Sequence, residues 1–132
     1  GFPVVEGGIC TRLEDLARFG VMCLQRGDFA GLHIVPSDWM HRPTTRTPEL
    51  IDAFALQRES GRTGPNSCYH DFWWVYDSVA GIYCGLGING QTLMIHHPSN
   101  TVVAKFSTWP DRMDYALADL TDAGLLALCE SL

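Results

Sequence analysis

The chain has 132 residues, of which 46% are hydrophobic, and its formal net charge is −6. This length and composition predict one globular domain with a buried core and exclude a disordered chain. Lys105 is the single lysine and the arginines are scattered, which leaves no basic patch for nucleic acid or an anionic membrane surface. No apolar run approaches the roughly 20 residues of a membrane span. We therefore expect neither a nucleic-acid partner nor a membrane partner.

The cysteines are odd in number and widely spaced, and most lie in apolar segments. They are Cys10, Cys23, Cys68, Cys84 and Cys129. This pattern predicts buried, reduced thiols and a cytoplasmic location, because it contains no Cys-x-x-Cys pair and no disulfide framework. His70, His96 and His97 are possible zinc ligands together with Cys68 and Cys84. However, adjacent residues on a strand point to opposite faces, so His96 and His97 are poorly placed to share a metal ion. We expect no metal and no cofactor.

The first half of the chain reads as helices and loops. Thr11 and Glu14 form a capping-box pattern that predicts a helix start, and Gly27 predicts its end. Between them an apolar stripe recurs at three- and four-residue spacing: Leu13, Leu16, Ala17, Gly20, Val21 and Leu24. The weaker signals after it predict an extended piece at 31–35, a helical turn at 36–40, a short helix within 49–57 and a loop at 60–66.

In the second half the pattern changes to strands. Aromatic, β-branched and apolar runs predict four strands, at 72–76, 81–88, 91–97 and 101–107. The connections are short, so the strands should pair as an antiparallel meander. A terminal helix at 113–128 should cover one face of the sheet with the stripe Leu117, Leu120, Gly124 and Leu128, with Leu125 and Leu126 beside it. The predicted fold class is therefore α+β, with one of Trp73 and Trp74 in the core and the other near the rim.

A glycine-rich stretch, Gly85-Leu86-Gly87-Ile88-Asn89-Gly90-Gln91, lies between two of these strands. Asn89-Gly90 is the strongest two-residue signal for a hairpin turn. A second interpretation is functional, because glycine lets another molecule approach the main chain, and N–H groups held on a strand are good donors to an oxyanion. The residues alone leave both interpretations open.

The chain lacks the sequence patterns of a catalytic nucleophile. It contains no Gly-x-Ser-x-Gly elbow, no Ser-x-x-Lys and no Tyr-x-Asn. A serine–lysine pair at helical spacing is impossible, because Val102 occupies the position three residues before Lys105.

Two groups of motifs nevertheless carry a family resemblance. The first comprises Gly7-Gly8-Ile9-Cys10-Thr11, Asp15-Leu16-Ala17-Arg18-Phe19-Gly20, Gly27, and the segment from Gly31 through Ile34-Val35-Pro36 to Trp39. The second comprises Tyr69, Phe72-Trp73-Trp74, the glycine-rich stretch, Pro98, and Ser107-Thr108-Trp109-Pro110-Asp111. In this order and spacing the chain resembles the downstream half of β-lactamase-related serine hydrolases, especially the 6-aminohexanoate-dimer hydrolase branch.

The resemblance implies hydrolysis of an amide or ester through an acyl-serine. It implies that residues 1–132 are the C-terminal portion of one serine hydrolase domain, with a β-lactamase/transpeptidase-like fold. Residues 1–70 would be its helical and loop segment, and 71–132 its antiparallel strands and C-terminal helix. The nucleophile motifs would come from the N-terminal part of the same domain, so the chain alone is expected to be inactive.

The resemblance also implies site residues. The family's Lys-Thr-Gly motif would fall at Gly85-Leu86-Gly87, and the Ile88 N–H would be an oxyanion donor. Gly85, Leu86, Gly87 and Asn89 would contact a small-molecule amide or ester. The missing lysine argues against recognition of a carboxylate, and hence against β-lactam turnover, while any residue can supply the N–H. The alternatives are a non-catalytic α+β module that binds a small ligand or peptide on a tryptophan-rich rim, and a purely structural subunit.

Overall fold

The structure, a computed structural model, describes residues 9–55 and 64–132. The helices in this part are α1 (Leu13–Leu24), α2 (Ser37–His41), α3 (Pro48–Ala55) and α4 (Tyr115–Glu130). The strands are β1 (Asp28–Phe29), β2 (Leu32–His33), β3 (Cys68–His70), β4 (Trp73–Asp77), β5 (Ile82–Leu86), β6 (Thr92–His96) and β7 (Thr101–Lys105). Two 3₁₀ turns lie at Arg42–Thr44 and Ile88–Gly90. The α+β class is confirmed.

The main sheet is an antiparallel meander in the order β3-β4-β5-β6-β7, and β1 and β2 form a separate two-stranded sheet. The meander confirms the pairing that the short connections predicted. It has five strands where four were predicted, because β3 is only three residues long and shows no alternating pattern. Strand β6 is buried along its whole length, which makes it the centre of the fold.

The sheet carries a core on each face. On one face α1 packs across β6 and β7, and its Met22 and Cys23 join Tyr83, Leu93 and Ile95. The approach is close, since a Cβ at Gly20 would lie 2.5 Å from a methyl group of Val102. On the other face Cys84 and Met94 pack with Cys129 of α4. The hairpin between β5 and β6 is therefore supported from both sides of the sheet.

Both ends of α1 differ from the prediction. Arg12 occupies the N-cap position without a side-chain cap, and the Thr11 hydroxyl donates to the Arg12 carbonyl instead, so the capping-box prediction was wrong. At the other end the Arg26 N–H donates to Cys23 O and the Gly27 N–H to Met22 O, which is a Schellman motif. Arg26 takes the left-handed conformation, φ 57°, and Gly27 follows at φ 99°.

The predicted buried stripe of α4 was wrong. Leu120 is 70% exposed, and Leu128 is half exposed. The buried positions are Ala118, Asp122 and Cys129. Apolar spacing misled because this helix has leucines on several faces, while the buried Asp122 is tied to a tyrosine of the sheet. Leu125 and Leu126, beside the predicted stripe, pack with Cys129 against the core, so the inward face is rotated from the predicted one.

The predicted division between Trp73 and Trp74 was also wrong. Both side chains are half-buried, and they lie on opposite sheet faces because successive strand residues alternate. Trp73 packs with Tyr83 on the α1 side, and Trp74 packs against the core that includes Cys129 on the α4 side.

Four cysteines are buried as predicted, whereas Cys10 is exposed, and none forms a disulfide. In the described ranges, no helix combines the length and the apolar character needed to span a bilayer. The short helices predicted at 36–40 and within 49–57 appear as α2 and α3. Gly7 and Gly8 of the first motif, Gln57, and 60–63 of the predicted loop lie outside the described residues.

Candidate functional site

The glycine-rich stretch forms the tight connection between β5 and β6. Leu86 pairs with Thr92, and the Gly87 N–H donates to Gln91 O at 2.9 Å. Asn89 and Gly90 both adopt positive φ values, 58° and 79°, as a primed hairpin turn requires. The hairpin interpretation of Asn89-Gly90 is therefore confirmed, and Ile88 precedes the turn instead of extending the strand.

Asn89 fastens this turn to the segment that follows β7. Its N–H donates to Arg112 O at 3.0 Å, and its side-chain Nδ2 donates to Trp109 O at 2.8 Å. The Asn89 carbonyl accepts from the Trp109 N–H and from the Ser107 hydroxyl, the latter at 2.7 Å. Because its N–H, its carbonyl oxygen and its side-chain Nδ2 all form hydrogen bonds within the chain, Asn89 holds the turn in position.

Lys105 holds the next residue of the turn. Its Nζ donates to Gly90 O at 2.7 Å and to the Ser107 hydroxyl at 2.9 Å, and it lies 5.1 Å from the centroid of the Trp109 ring. Trp109 packs so closely that a Cβ on Gly90 would lie 2.2 Å from its ring. Only glycine fits both this contact and the positive φ.

Ile88 is the exposed point of the clamped turn. Its side chain is 56% exposed. Within residues 9–55 and 64–132 its N–H has no hydrogen-bond acceptor, although the neighbouring Gly87 and Asn89 N–H groups are bonded. Because the turn is fixed on both sides, this donor is held in place before any ligand arrives.

Ile88 also lines a cavity of about 380 Å³. Leu86, Gly87 and Ile88 line it from the hairpin. Trp74, Trp109, Arg112, Tyr115, Thr121 and Asp122 are among the residues that line the rest. Its size falls in the range of about 300–1,000 Å³ typical of small-molecule sites, and its lining combines apolar side chains with charged and polar ones.

The cavity brings together three of the five residues predicted as a site: Leu86, Gly87 and Ile88. Asn89 shapes the turn without lining the cavity. Gly85 lies in β5, where a Cβ would face the Trp73 ring at 3.9 Å, on the α1 side of the sheet. Substrate contact by these residues stays a prediction.

The cavity wall contains a buried acid. Asp122 is 6% exposed and accepts a hydrogen bond of 2.5 Å from the Tyr76 hydroxyl. Burial, aided by neighbouring Cys84 and Asp122, raises the pKa of Tyr76 far above its usual range. Tyr76 therefore donates this hydrogen bond to Asp122 as a neutral phenol.

Sequence reasoning missed Lys105, Arg112 and Asp122, whereas Trp109 was considered only as part of the tryptophan-rich rim. All four come to the site from segments distant in sequence. The one usable signal was the position of Lys105 near the end of the predicted strand 101–107, which a meander places next to the hairpin that precedes it.

No group of three or more histidine, cysteine or acidic side chains in the described part of the chain is placed to hold a metal ion. His96 hydrogen-bonds Ser99, while His97 packs near Tyr83 with ring centroids 6.0 Å apart. Burial first, and then Arg26, His41 and His96, lower the pKa of His97. Contacts within the fold therefore account for the positions of His96 and His97.

No protein-family model matches the chain. A curated relative, the 6-aminohexanoate-dimer hydrolase of Paenarthrobacter ureafaciens, is 30% identical over 118 residues, which are 84% of this chain. The chain spans 28% of the length of that relative. The resemblance that the glycine-rich and aromatic motifs predicted is confirmed: the chain is a homologue of a 6-aminohexanoate-dimer hydrolase.

Proposed function

We propose that the chain is the C-terminal part of a serine hydrolase that cleaves an amide or ester through an acyl-serine intermediate. In this proposal the Ile88 N–H is one of the two oxyanion donors. The observation that carries it is that the Ile88 N–H lacks an acceptor in the described chain and that Ile88 lines a cavity of about 380 Å³. Donors that are fixed in advance stabilise a developing oxyanion without reorganising, which is why they contribute strongly to catalysis.

The nucleophile would come from the N-terminal part of the same domain, because this chain contains no Ser-x-x-Lys and no Tyr-x-Asn. The serine oxygen would attack the carbonyl carbon while its proton passes to the neighbouring base. The carbonyl oxygen would take the negative charge between the serine N–H and the Ile88 N–H. Collapse of this intermediate breaks the C–N or C–O bond, the departing amine or alcohol takes the proton back from the base, and water then hydrolyses the acyl-serine.

A small linear amide or ester is the substrate class that we propose. The relative is named for a 6-aminohexanoate dimer, a linear amide. Trp74, Leu86 and Trp109 give the cavity apolar walls suited to an aliphatic chain. The buried free thiols support a cytoplasmic location, where cysteines stay reduced.

The second candidate is a non-catalytic module that binds a small ligand or peptide. The tryptophan-lined cavity favours it, because the cavity exists without any nucleophile. The two candidates differ in what they require outside this chain. The hydrolase needs an upstream serine and lysine, and the binding module needs neither.

The reading frame and an activity assay separate these candidates. We expect the coding sequence upstream of Gly1 to contain Ser-x-x-Lys and Tyr-x-Asn. We also expect the polypeptide that includes them to hydrolyse p-nitrophenyl acetate or a 6-aminohexanoate dimer, while the 132-residue chain alone does not. Hydrolysis by the chain alone, or an upstream frame without a serine–lysine pair, would contradict the proposal.

A further inference from the structure

Lys105 directs its charge to the β5–β6 hairpin and not to an acidic side chain. Its half-buried ammonium group forms no ion pair with a carboxylate within residues 9–55 and 64–132. Instead its Nζ donates to Gly90 O at 2.7 Å and to the Ser107 hydroxyl at 2.9 Å. Hydrogen bonds from a charged donor are about twice as strong as those between neutral groups. The contact with Gly90 is therefore among the stronger bonds that hold the hairpin.

This contact fixes one end of the turn that begins at Ile88. Ile88 is the first residue of the 3₁₀ turn and Gly90 is the last. Asn89 and Gly90 are both left-handed, at φ 58° and 79°, and this conformation costs a residue other than glycine energy. Ser107, which accepts from Lys105, donates to Asn89 O at 2.7 Å. Lys105 and Ser107 together thus bind the carbonyl oxygens of both residues that follow Ile88.

Lys105 also connects the turn to the centre of the fold. It is the last residue of β7, and it pairs with Thr92 of β6, the strand that is buried along its whole length. The other groups that bind the turn belong to Ser107, Trp109 and Arg112, which lie after β7 in a segment without helix or strand. Of the side chains that donate to the turn in the described ranges, Lys105 alone belongs to the sheet.

We propose that Lys105 is a positioning residue for catalysis, whose bond to Gly90 O holds the Ile88 N–H in the orientation that the oxyanion requires. This inference rests on the proposed function, because it concerns the same donor. Lys105 does not line the cavity, so we assign it an action through the turn and not on the substrate. Loss of the contact should lower kcat and leave KM nearly unchanged, because an oxyanion donor binds the transition state more strongly than the ground state.

The kinetic test is a double-mutant cycle of Lys105→Met and Ile88→Pro in the polypeptide that carries the upstream nucleophile, with p-nitrophenyl acetate as substrate. Lys105→Met should lower kcat at least about 10-fold, because a small displacement of a catalytic group slows the reaction strongly, and should leave KM within about 3-fold. In the Ile88→Pro background, which lacks the donor, the same substitution should change kcat by less than about 2-fold. An unchanged kcat in Lys105→Met, or an equal loss in both backgrounds, would overturn the inference.

Two further variants separate positioning from a loss of folding. Lys105→Arg keeps the charge and the donors, so its kcat should stay within about 5-fold of the parent. Ser107→Ala removes only the hydroxyl between Lys105 and Asn89 O, and it is the milder variant if Lys105→Met does not fold. Ser107→Ala should lower kcat about 2- to 10-fold, and only while Ile88 retains its N–H. A loss of the same size in the Ile88→Pro background would count against the network.

Hydrogen–deuterium exchange tests the contact without relying on activity. The Gly87 and Asn89 N–H groups are hydrogen-bonded, so a peptide that spans 85–91 should be protected in the parent. Its exchange should become at least about 5-fold faster in Lys105→Met and stay within about 2-fold in Arg18→Met, which removes an exposed ion pair of α1. Unchanged exchange in Lys105→Met would overturn the inference while the proposed function stands. If the parent hydrolyses neither esters nor amides, the proposed function fails and the catalytic role of Lys105 fails with it, although faster exchange would still identify Lys105 as the residue that holds the turn.

Discussion

The Nζ of Lys105 donates a hydrogen bond of 2.7 Å to the carbonyl oxygen of Gly90. This contact joins the last residue of β7 to the left-handed turn beside Ile88, and it uses the only lysine of the chain. The ammonium group also donates to Ser107, which in turn donates to Asn89 O. One side chain thus begins the network that fixes the candidate oxyanion donor.

Lys105→Met should destabilise the chain. The variant leaves the Gly90 carbonyl without its charged donor, and loss of such a bond costs about 1.5–3 kcal/mol. Urea unfolding measures the change. Arg18→Met is the matched control, since Arg18 pairs with Asp15 on the exposed side of α1, and such surface pairs contribute about 0–1 kcal/mol. Equal effects of the two substitutions would show that the Lys105 contact adds no stability to the turn.

Two glycine substitutions should have opposite signs. Gly90→Ala should destabilise by about 3 kcal/mol or more, because the new Cβ meets Trp109 and the φ of 79° disfavours alanine. Gly124→Ala, in the middle of α4 with open space around its Cβ, should stabilise by about 0.5–1 kcal/mol. Thermal and urea unfolding check both values. A Gly90→Ala variant as stable as the parent would refute the close packing of the turn.

The sequence predicted the elements of this region better than their assembly. The Asn89-Gly90 turn, the meander and α4 follow from local chemistry, since left-handed residues and short connections restrict the chain at close range. Hydrogen bonds join Asn89 to Trp109 and Arg112, which lie 20 and more positions later in the chain. No local sequence pattern encodes these contacts. The inward face of α4 was misjudged for a related reason, because the bond between Tyr76 and the buried Asp122 joins residues 46 positions apart.

The stability of the chain should rise with pH through the range of histidine titration. Burial, followed by Arg26, His41 and His96, lowers the pKa of His97 below its usual 6.5. Between the folded and unfolded pKa values the unfolded chain binds more protons, so the free energy of unfolding increases as the pH rises toward the unfolded value of 6.5 and levels off above it. His97→Gln should reduce the difference in stability between pH 5 and pH 7. The same difference in parent and variant would contradict this assignment.

Alkylation should distinguish Cys10 from the other thiols. Cys10 is exposed, whereas burial raises the pKa of Cys23 to about 12 and also raises the pKa values of Cys68 and Cys129. Because the thiolate is the reactive form, iodoacetamide at pH 8 should modify only Cys10 in the folded chain. Peptide mass mapping identifies which cysteines have been modified. Modification of Cys23 at the rate of Cys10 would show that the core on the α1 face is open.

The measurement that tests the central claim most directly compares Ile88→Pro with Ile88→Ala in the polypeptide that carries the upstream nucleophile. Proline removes the N–H at a position where it fits, because Ile88 is the first residue of a 3₁₀ turn and Gly87 is extended, at φ −114° and ψ 165°. We predict that Ile88→Pro lowers kcat by about 10²–10³ while Ile88→Ala, which keeps the donor, stays within about 10-fold of the parent. Equal kcat values for two folded variants would contradict the role of the Ile88 N–H as an oxyanion donor.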